Sequence, residues 1–337
     1  HLTSEAGSLN GISTPGWIDA TDRENSSLDL KIHHNYVSNC RQEGIQNSTC
    51  KGVIISDNVL IGNQDFGVEG EAQTPGTTAT SATYGYEVPA DAIVERNYID
   101  GYSPTLGTYG TGGISWGSAN QGKIAIRNNT VRFTDNSAGV APGYGTTTFA
   151  YIGGSGISFR QNNNGVFQVA DNLLEGIVPG SGGAVITCSN GLDSVHVTGN
   201  HAANCNSARN FFNMATGNVK EFVAHDNRAM DGTFLRMFDL SFTAGSANTL
   251  ANTNIAITDN TLSGSSSGFA VLRFPNNVTV QRLTFKGNQA NAINSSSNGS
   301  EGLLRITAAT AGGFTLSVSR MEMEGNTASY AGNTICP

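Results

Sequence analysis

Short alternating segments of apolar and polar residues recur along this chain, each closing on an asparagine. Val53-Ile-Ile-Ser, Lys123-Ile-Ala-Ile-Arg, Val166-Phe-Gln-Val, Val195-His-Val-Thr, Ile255-Ala-Ile-Thr and Val278-Thr-Val are the clearest cases. Alternation with period two and β-branched residues predicts half-buried strands. The closing motif is Asn, any residue, then a small or aliphatic one. It occurs at Asn35, Asn58, Asn97, Asn129, Asn172, Asn200, Asn227, Asn260, Asn288 and Asn326. Successive spacings are 23, 39, 32, 43, 28, 27, 33, 28 and 38 residues. A second strand follows about once per repeat, often opened by glycine: Gly44-Ile-Gln, Gly67-Val-Glu, Gly113-Ile-Ser-Trp, Gly156-Ile-Ser-Phe, Gly183-Ala-Val-Ile. Phe234-Leu-Arg, Val271-Leu-Arg and Leu303-Leu-Arg-Ile continue the series.

Strand, Asn turn, strand and variable loop, repeated ten times, predict an all-β solenoid whose turns stack in parallel. The asparagine has a mechanical reason to recur. It tolerates the left-handed backbone region, and its amide can bond the equivalent amide one rung away. Departures from a spacing of about 27 locate insertions, and most fall between Asn58 and Asn172. The expected loops are 71–92, 102–112 and 138–154.

The coil pattern over residues 28–330 resembles the right-handed, single-stranded parallel β-helix of the pectate-lyase-like superfamily. The stretch from Ile32-His-His-Asn-Tyr-Val-Ser-Asn-Cys-Arg through Val53-Ile-Ile-Ser-Asp-Asn-Val-Leu to Phe66-Gly-Val-Glu is similar to the coils of bacteriophage tailspikes. That resemblance implies a homotrimer, extracellular or on a virion tail, that binds and cuts bacterial surface polysaccharide. The same coil also carries lyases and non-catalytic adhesins. Residues 1–27 show no clean repeat, although Gly16-Trp-Ile-Asp matches a remnant coil of a longer chain. Residues 28–337 form the expected β-helix domain.

Composition narrows the chemistry. The chain has 337 residues with 42 Gly and 36 Asn, 13 % charged residues and a net charge of −8. With 18 basic against 26 acidic residues, nucleic-acid binding is not expected. No run approaches the ~18 apolar residues of a membrane helix. The five cysteines have no metal-like spacing, so buried free thiols are expected, with a Cys40–Cys50 bridge as the alternative. No Ser/His/Asp constellation, nucleophile elbow or P-loop is apparent.

In so charge-poor a chain, five acids within 27 residues draw attention: Asp65, Glu69, Glu71, Glu87 and Asp91. Aligning the second strands on their glycines puts Gln46, Glu69, Ser115, Ser158 and Val185 in one outward column. Ser48, Glu71, Gly117, Arg160 and Thr187 form the next. Val68, Ile114, Trp116, Ile157 and Phe159 alternate with these and should point inward. By the same parity Asp65, Glu69 and Glu71 share the outward face. Paired carboxylates suit glycoside hydrolysis, one protonating the leaving oxygen while the other attacks or activates water. Tyr84, Tyr86, Tyr109 and Tyr144 in the loops, with Trp116 and Arg160, are the candidate sugar contacts. No cofactor is expected for hydrolysis. Under the lyase alternative the same acids would hold Ca²⁺, with Arg96, Arg127 and Arg160 near by. Arg236, Arg273 and Arg305 are expected to stack in one column that meets acidic sugar or a neighbouring subunit.

Overall fold

The structure, a computed structural model, describes residues 2–3, 10–14, 30–40, 42–47, 52–63, 65–70, 91–103, 108–109, 112–117, 122–133, 155–160, 165–177, 184–188, 193–205, 208–217, 219–242, 252–264, 267–275, 278–293, 302–308 and 315–330. The strands assemble into three parallel sheets of 10, 11 and 10 strands, a parallel β-helix of about ten coils. Each coil runs from sheet I (for example Val53–Ser56) through the Asn corner to sheet II (Val59–Ile61) and then sheet III (Phe66–Gly70). The stacking reaches upstream of Lys31. Leu2–Thr3 pairs with Val37 and Ser38, and Ile12–Ser13 pairs with Ile45 and Gln46.

The asparagines form an unbroken ladder. Each side-chain amide donates to the next Oδ1 at 2.8–3.0 Å, from Asn35 through to Asn326. Each backbone N–H donates to that same oxygen at 2.9–3.2 Å. The left-handed position is not the asparagine itself but the residue before it. His34, Asp57, Arg96, Asn128, Asp171, Asp226 and Asp259 have φ between 49° and 58°. Gly199, Gly287 and Gly325 take the same role at 64–65°. The preceding residue turns the chain, which frees the asparagine to point inward and bond. The glycine at 199 has a further cause. A Cβ there would strike the Asp171 carboxylate reaching over from the previous coil.

Apolar columns fill the interior. In sheet III the column Val68, Ile114, Ile157, Ile186, Phe212 and Phe238 is fully buried, as is Trp116 beside Phe159. Where sheet II turns into sheet III, two consecutive residues face inward. In the early coils the first of the two is glycine. A Cβ on Gly67 would run into Ile99 of the next coil, and one on Gly113 into Val131. From Val185 onward the position holds Val185, Phe211, Met237 and Phe269, all buried. The facing sheet II position shrinks in step, to Ala202, Ala229 and Ala290, with Leu262 the exception. Total volume is conserved between coils while its source changes sides, as close packing requires. Met321 and Met323, stacked on the buried Leu283 and Phe285, are 47 % and 53 % exposed.

Cys40, Cys188 and Cys205 are buried free thiols, and Cys50 lies outside the described residues. Burial, helped by the Glu43 carboxylate, pushes the Cys40 thiol up to about 11. Burial pushes Cys205 up to about 12 and raises Cys188 as well.

Candidate functional site

Hydrogen-bond register aligns the outward positions of sheet III as Gln46, Glu69, Ser115, Ser158, Thr187, Asn213, Asp239, Val271 and Arg305. The expected member Val185 is replaced by Thr187. Ile157 pairs with Ile186, so Val185 falls opposite Gly156, in the inward glycine position that Ala202 leaves room for. Gly117 pairs with Arg160 as expected.

At Gln46, Glu69, Ser115 and Ser158 the outward face is closed to solvent. Glu69 is 3 % exposed, Gln46 5 %, Ser158 9 % and Ser115 0 %. The hydroxyl of Ser115 has no hydrogen-bond partner among the described residues.

Of the five candidate acids, only Glu69 is placed in this seam. Glu71 and Glu87 lie outside the described residues, as do Tyr84, Tyr86 and Tyr144. Asp65 precedes the strand. The paired inward residues Gly67 and Val68 break the alternation, so parity does not carry back to it. Asp91 opens the sheet I strand Ala92–Glu95 with φ of 60°, and its Oδ1 accepts a hydrogen bond from Lys123 N at 2.8 Å. It is an exposed corner group on a different sheet from Glu69. Along Glu69's column the next carboxylate among the described residues is Asp239, about five rungs or ~24 Å away at ~4.8 Å per rung. Trp116 is a core residue rather than a sugar contact. It is fully buried, with its ring where a Cβ on Gly70 would otherwise lie. Tyr109 lies in a short antiparallel hairpin, opposite Tyr102.

The arginines do not form the expected column. Arg236 pairs in register with Asn210, Arg273 with Ser241 and Arg305 with Val271. Arg236 and Arg273 instead converge on one buried carboxylate. Arg236 donates to Asp239 Oδ2 at 3.0 Å and Arg273 to the same oxygen at 3.2 Å. The acid that answers them lies in their own chain. Charge clustering along the sequence does not flag it, because Asp239 stands apart from other acids there.

A second ionic group lies at the Asn corner. Arg96 grips Asp57 through Nε and Nη2, at 2.8 and 2.9 Å, and reaches Glu95, to which Arg127 also donates at 2.7 Å. Hydrogen bonding to Arg96 holds the Asp57 carboxyl down to about 2. Burial alone would raise Glu95, but Arg127 and Arg96 bring it below the ordinary carboxylate value. Arg96 and Arg127 are therefore engaged on sheet I and its corner, away from Glu69.

Stacking also unites Ser194, His196 and Glu221. Ser194 Oγ and Glu221 Oε2 each lie 2.9 Å from His196 Nε2. Both partners share one ring nitrogen, so the imidazole cannot relay a proton from serine to carboxylate as a triad does. Among the described residues no group of three or more His, Cys, Asp or Glu side chains is placed to hold a metal ion. Comparison with known proteins found no matching family model, curated protein or solved structure.

Proposed function

We propose that this chain is a tailspike-like depolymerase: an endo-acting glycoside hydrolase that cleaves bacterial capsule or O-antigen. It would work as an extracellular homotrimer, on a virion tail if phage-encoded. The observation that carries this reading is the fold, three parallel sheets stacked as a β-helix of about ten coils. Stacked coils repeat donors and acceptors every ~4.8 Å, a template suited to a repeating polymer. Glu69 supplies one carboxylate, and its partner comes from Glu71, Glu87 or Asp65. Partners ~5 Å apart would give retention and ~6.5–9.5 Å inversion.

A second reading is non-catalytic binding. It is favoured by the nearest rungs of Glu69's own column, which carry Gln46 and Ser115 rather than a second acid. Incubation with a panel of capsules and O-antigens, followed by mass analysis of the products, tests both. Fragments heavier by one water are expected, and Glu69→Gln should abolish them with the fold intact. Retained binding without any product selects the adhesin. Full activity in Glu69→Gln removes Glu69 from the chemistry.

A further inference from the structure

We propose that the outer face of sheet I carries a second saccharide site, apart from the Glu69 seam, that holds a carboxylate-bearing sugar unit without cutting it. That the ligand is a sugar rests on the polysaccharide reading above. Its charge follows from the cleft alone.

A cleft of about 270 Å³ opens on sheet I, and Ile54, Ile93, Lys123, Ala125, Arg127 and Gln168 line it. Its shape follows from the register. Ile54, Ile93, Ala125 and Gln168 stack as one outward column on four successive rungs. Ala125 is the smallest of the four. On its own strand, Lys123–Arg127, the two terminal residues stand two positions either side of it. Residues two apart share a face, so at ~3.3 Å per residue those two Cα atoms lie ~13 Å apart. One short side chain is thus ringed by four long ones, Ile93 and Gln168 across the rungs and Lys123 and Arg127 along the strand. The depression that results suits a single sugar ring.

Its lining sets the chemistry. Ile54, Ile93 and Ala125 give an aliphatic floor for the C–H face of a ring, with a few polar groups around it to fix orientation. Gln168 is half-buried, and its amide, both donor and acceptor, bonds no described residue. The Lys123 ammonium is exposed and pairs with no carboxylate among the described residues. Arg127 gives Nε to Glu95 at 2.7 Å, and its Nη groups bond no described residue. Two acids stand near these cations. Glu95 is held by Arg127 and Arg96. Asp91, on the rim, already accepts from Lys123 N at 2.8 Å. Uncommitted donors therefore outnumber uncommitted acceptors, and an ionised carboxylate, which only accepts, completes the set. Asp91 is the one carboxylate among the described lining residues, whereas glycoside hydrolysis takes a pair. The cleft therefore binds and does not cut. A polymer already held at the seam raises the local concentration of its own sugars at the cleft, so modest affinity is enough.

The test uses trisaccharides that contain glucuronate or sialate, together with the same sugars after reduction of the carboxyl to an alcohol. Ligand-observed NMR titrations compare wild type, Lys123→Gln and Ala125→Leu, with melting temperature followed in parallel. Wild type should bind an acidic form at least about threefold more tightly than its reduced form. Lys123→Gln should weaken binding of the acidic form roughly 3- to 10-fold, the range for a partly exposed charge-assisted hydrogen bond, and erase the difference between the two forms. Ala125→Leu fills the floor and should weaken both forms, with the melting temperature unchanged because the side chain faces outward. Equal affinity of wild type for acidic and reduced forms overturns the proposal. So does acidic binding that neither variant changes, or no binding at all. Incubation of wild type with the polysaccharide panel separates this proposal from the depolymerase reading. Fragments without binding at the cleft overturn the proposal alone. Acid-selective binding lost in both variants, with no fragments from any polymer, upholds the cleft and removes the hydrolase.

Discussion

Replacing Asn172 by alanine tests the ladder where it is most enclosed. Asn172 is 1 % exposed. Its amide donates to Asn200 Oδ1 at 2.9 Å, Ile126 O at 2.9 Å and Ala170 O at 3.0 Å. Its Oδ1 accepts from Asn129 N at 2.9 Å and Asn129 Nδ2 at 3.0 Å. Some partners have recourse. Ala170 O still accepts from Asn128 N, and Asn129 Nδ2 keeps Val94 O and Arg127 O. The Asn129 N–H, at a residue 1 % exposed, loses this bond. One stranded buried donor at about 1–3 kcal/mol, with the four remaining lost bonds at about 0.5–1.5 kcal/mol each, gives a destabilisation of about 3–9 kcal/mol. Asn326→Ala, at the partly exposed end of the ladder, removes only the bond to Phe285 O and the two accepted from Asn288. Water can replace them there, so about 1 kcal/mol is expected. Asn172→Asp should be worse than alanine, because its carboxylate would face three acceptor oxygens. Urea unfolding followed through the fluorescence of buried Trp116 measures all three variants, with a second probe to check that the coils unfold together. A cost for Asn172→Ala below about 1 kcal/mol, or no larger than that of Asn326→Ala, would refute the account of the ladder.

Acid should weaken the Asn corner selectively. The folded Asp57 carboxyl is held down to about 2, below its unfolded value of ~3.9. Its contribution is therefore complete above about pH 4 and lost as pH falls toward 2. The difference in melting temperature between wild type and Asp57→Asn should shrink across that window, and a difference at pH 2 as large as that at pH 5 would contradict the assignment. Packing at the sheet II–III corner makes a separate prediction. Gly67→Ala should cost about 1–3 kcal/mol through the clash with Ile99. Combining it with Ile99→Ala, which clears the facing position as Ala202 and Ala229 do in later coils, should leave the double variant at least about 1 kcal/mol more stable than the sum of the single effects. Simple additivity would show that the two positions do not share the space.

The ladder is legible in the amino-acid sequence because its signal is local. An alternating strand, then Asn, repeats along the chain wherever the corner repeats in space. The parity that turns Glu69 outward and Trp116 inward is legible for the same reason, since side chains alternate strictly within one strand. Parity stops at a corner, which is why Asp65 does not carry onto Glu69's face and why Thr187 takes the place expected of Val185, which falls in the inward glycine position. There the register depends on volume shared between coils: Gly67 against Ile99, Gly113 against Val131, then Val185 over Ala202. No local pattern records that exchange. Long-range stacking likewise decides the ion pairs. Arg236 and Arg273, which resemble one column because each follows a leucine, meet on Asp239 instead.

By itself, then, the sequence determined the solenoid, its Asn corners and the outward direction of the seam, because each is written in residues close along the chain. Only the tertiary structure decided that the seam is shut away from water, with the Ser115 hydroxyl left unpartnered among the described residues beside Glu69. Burial is a property of what lies across the fold, and no single strand carries it.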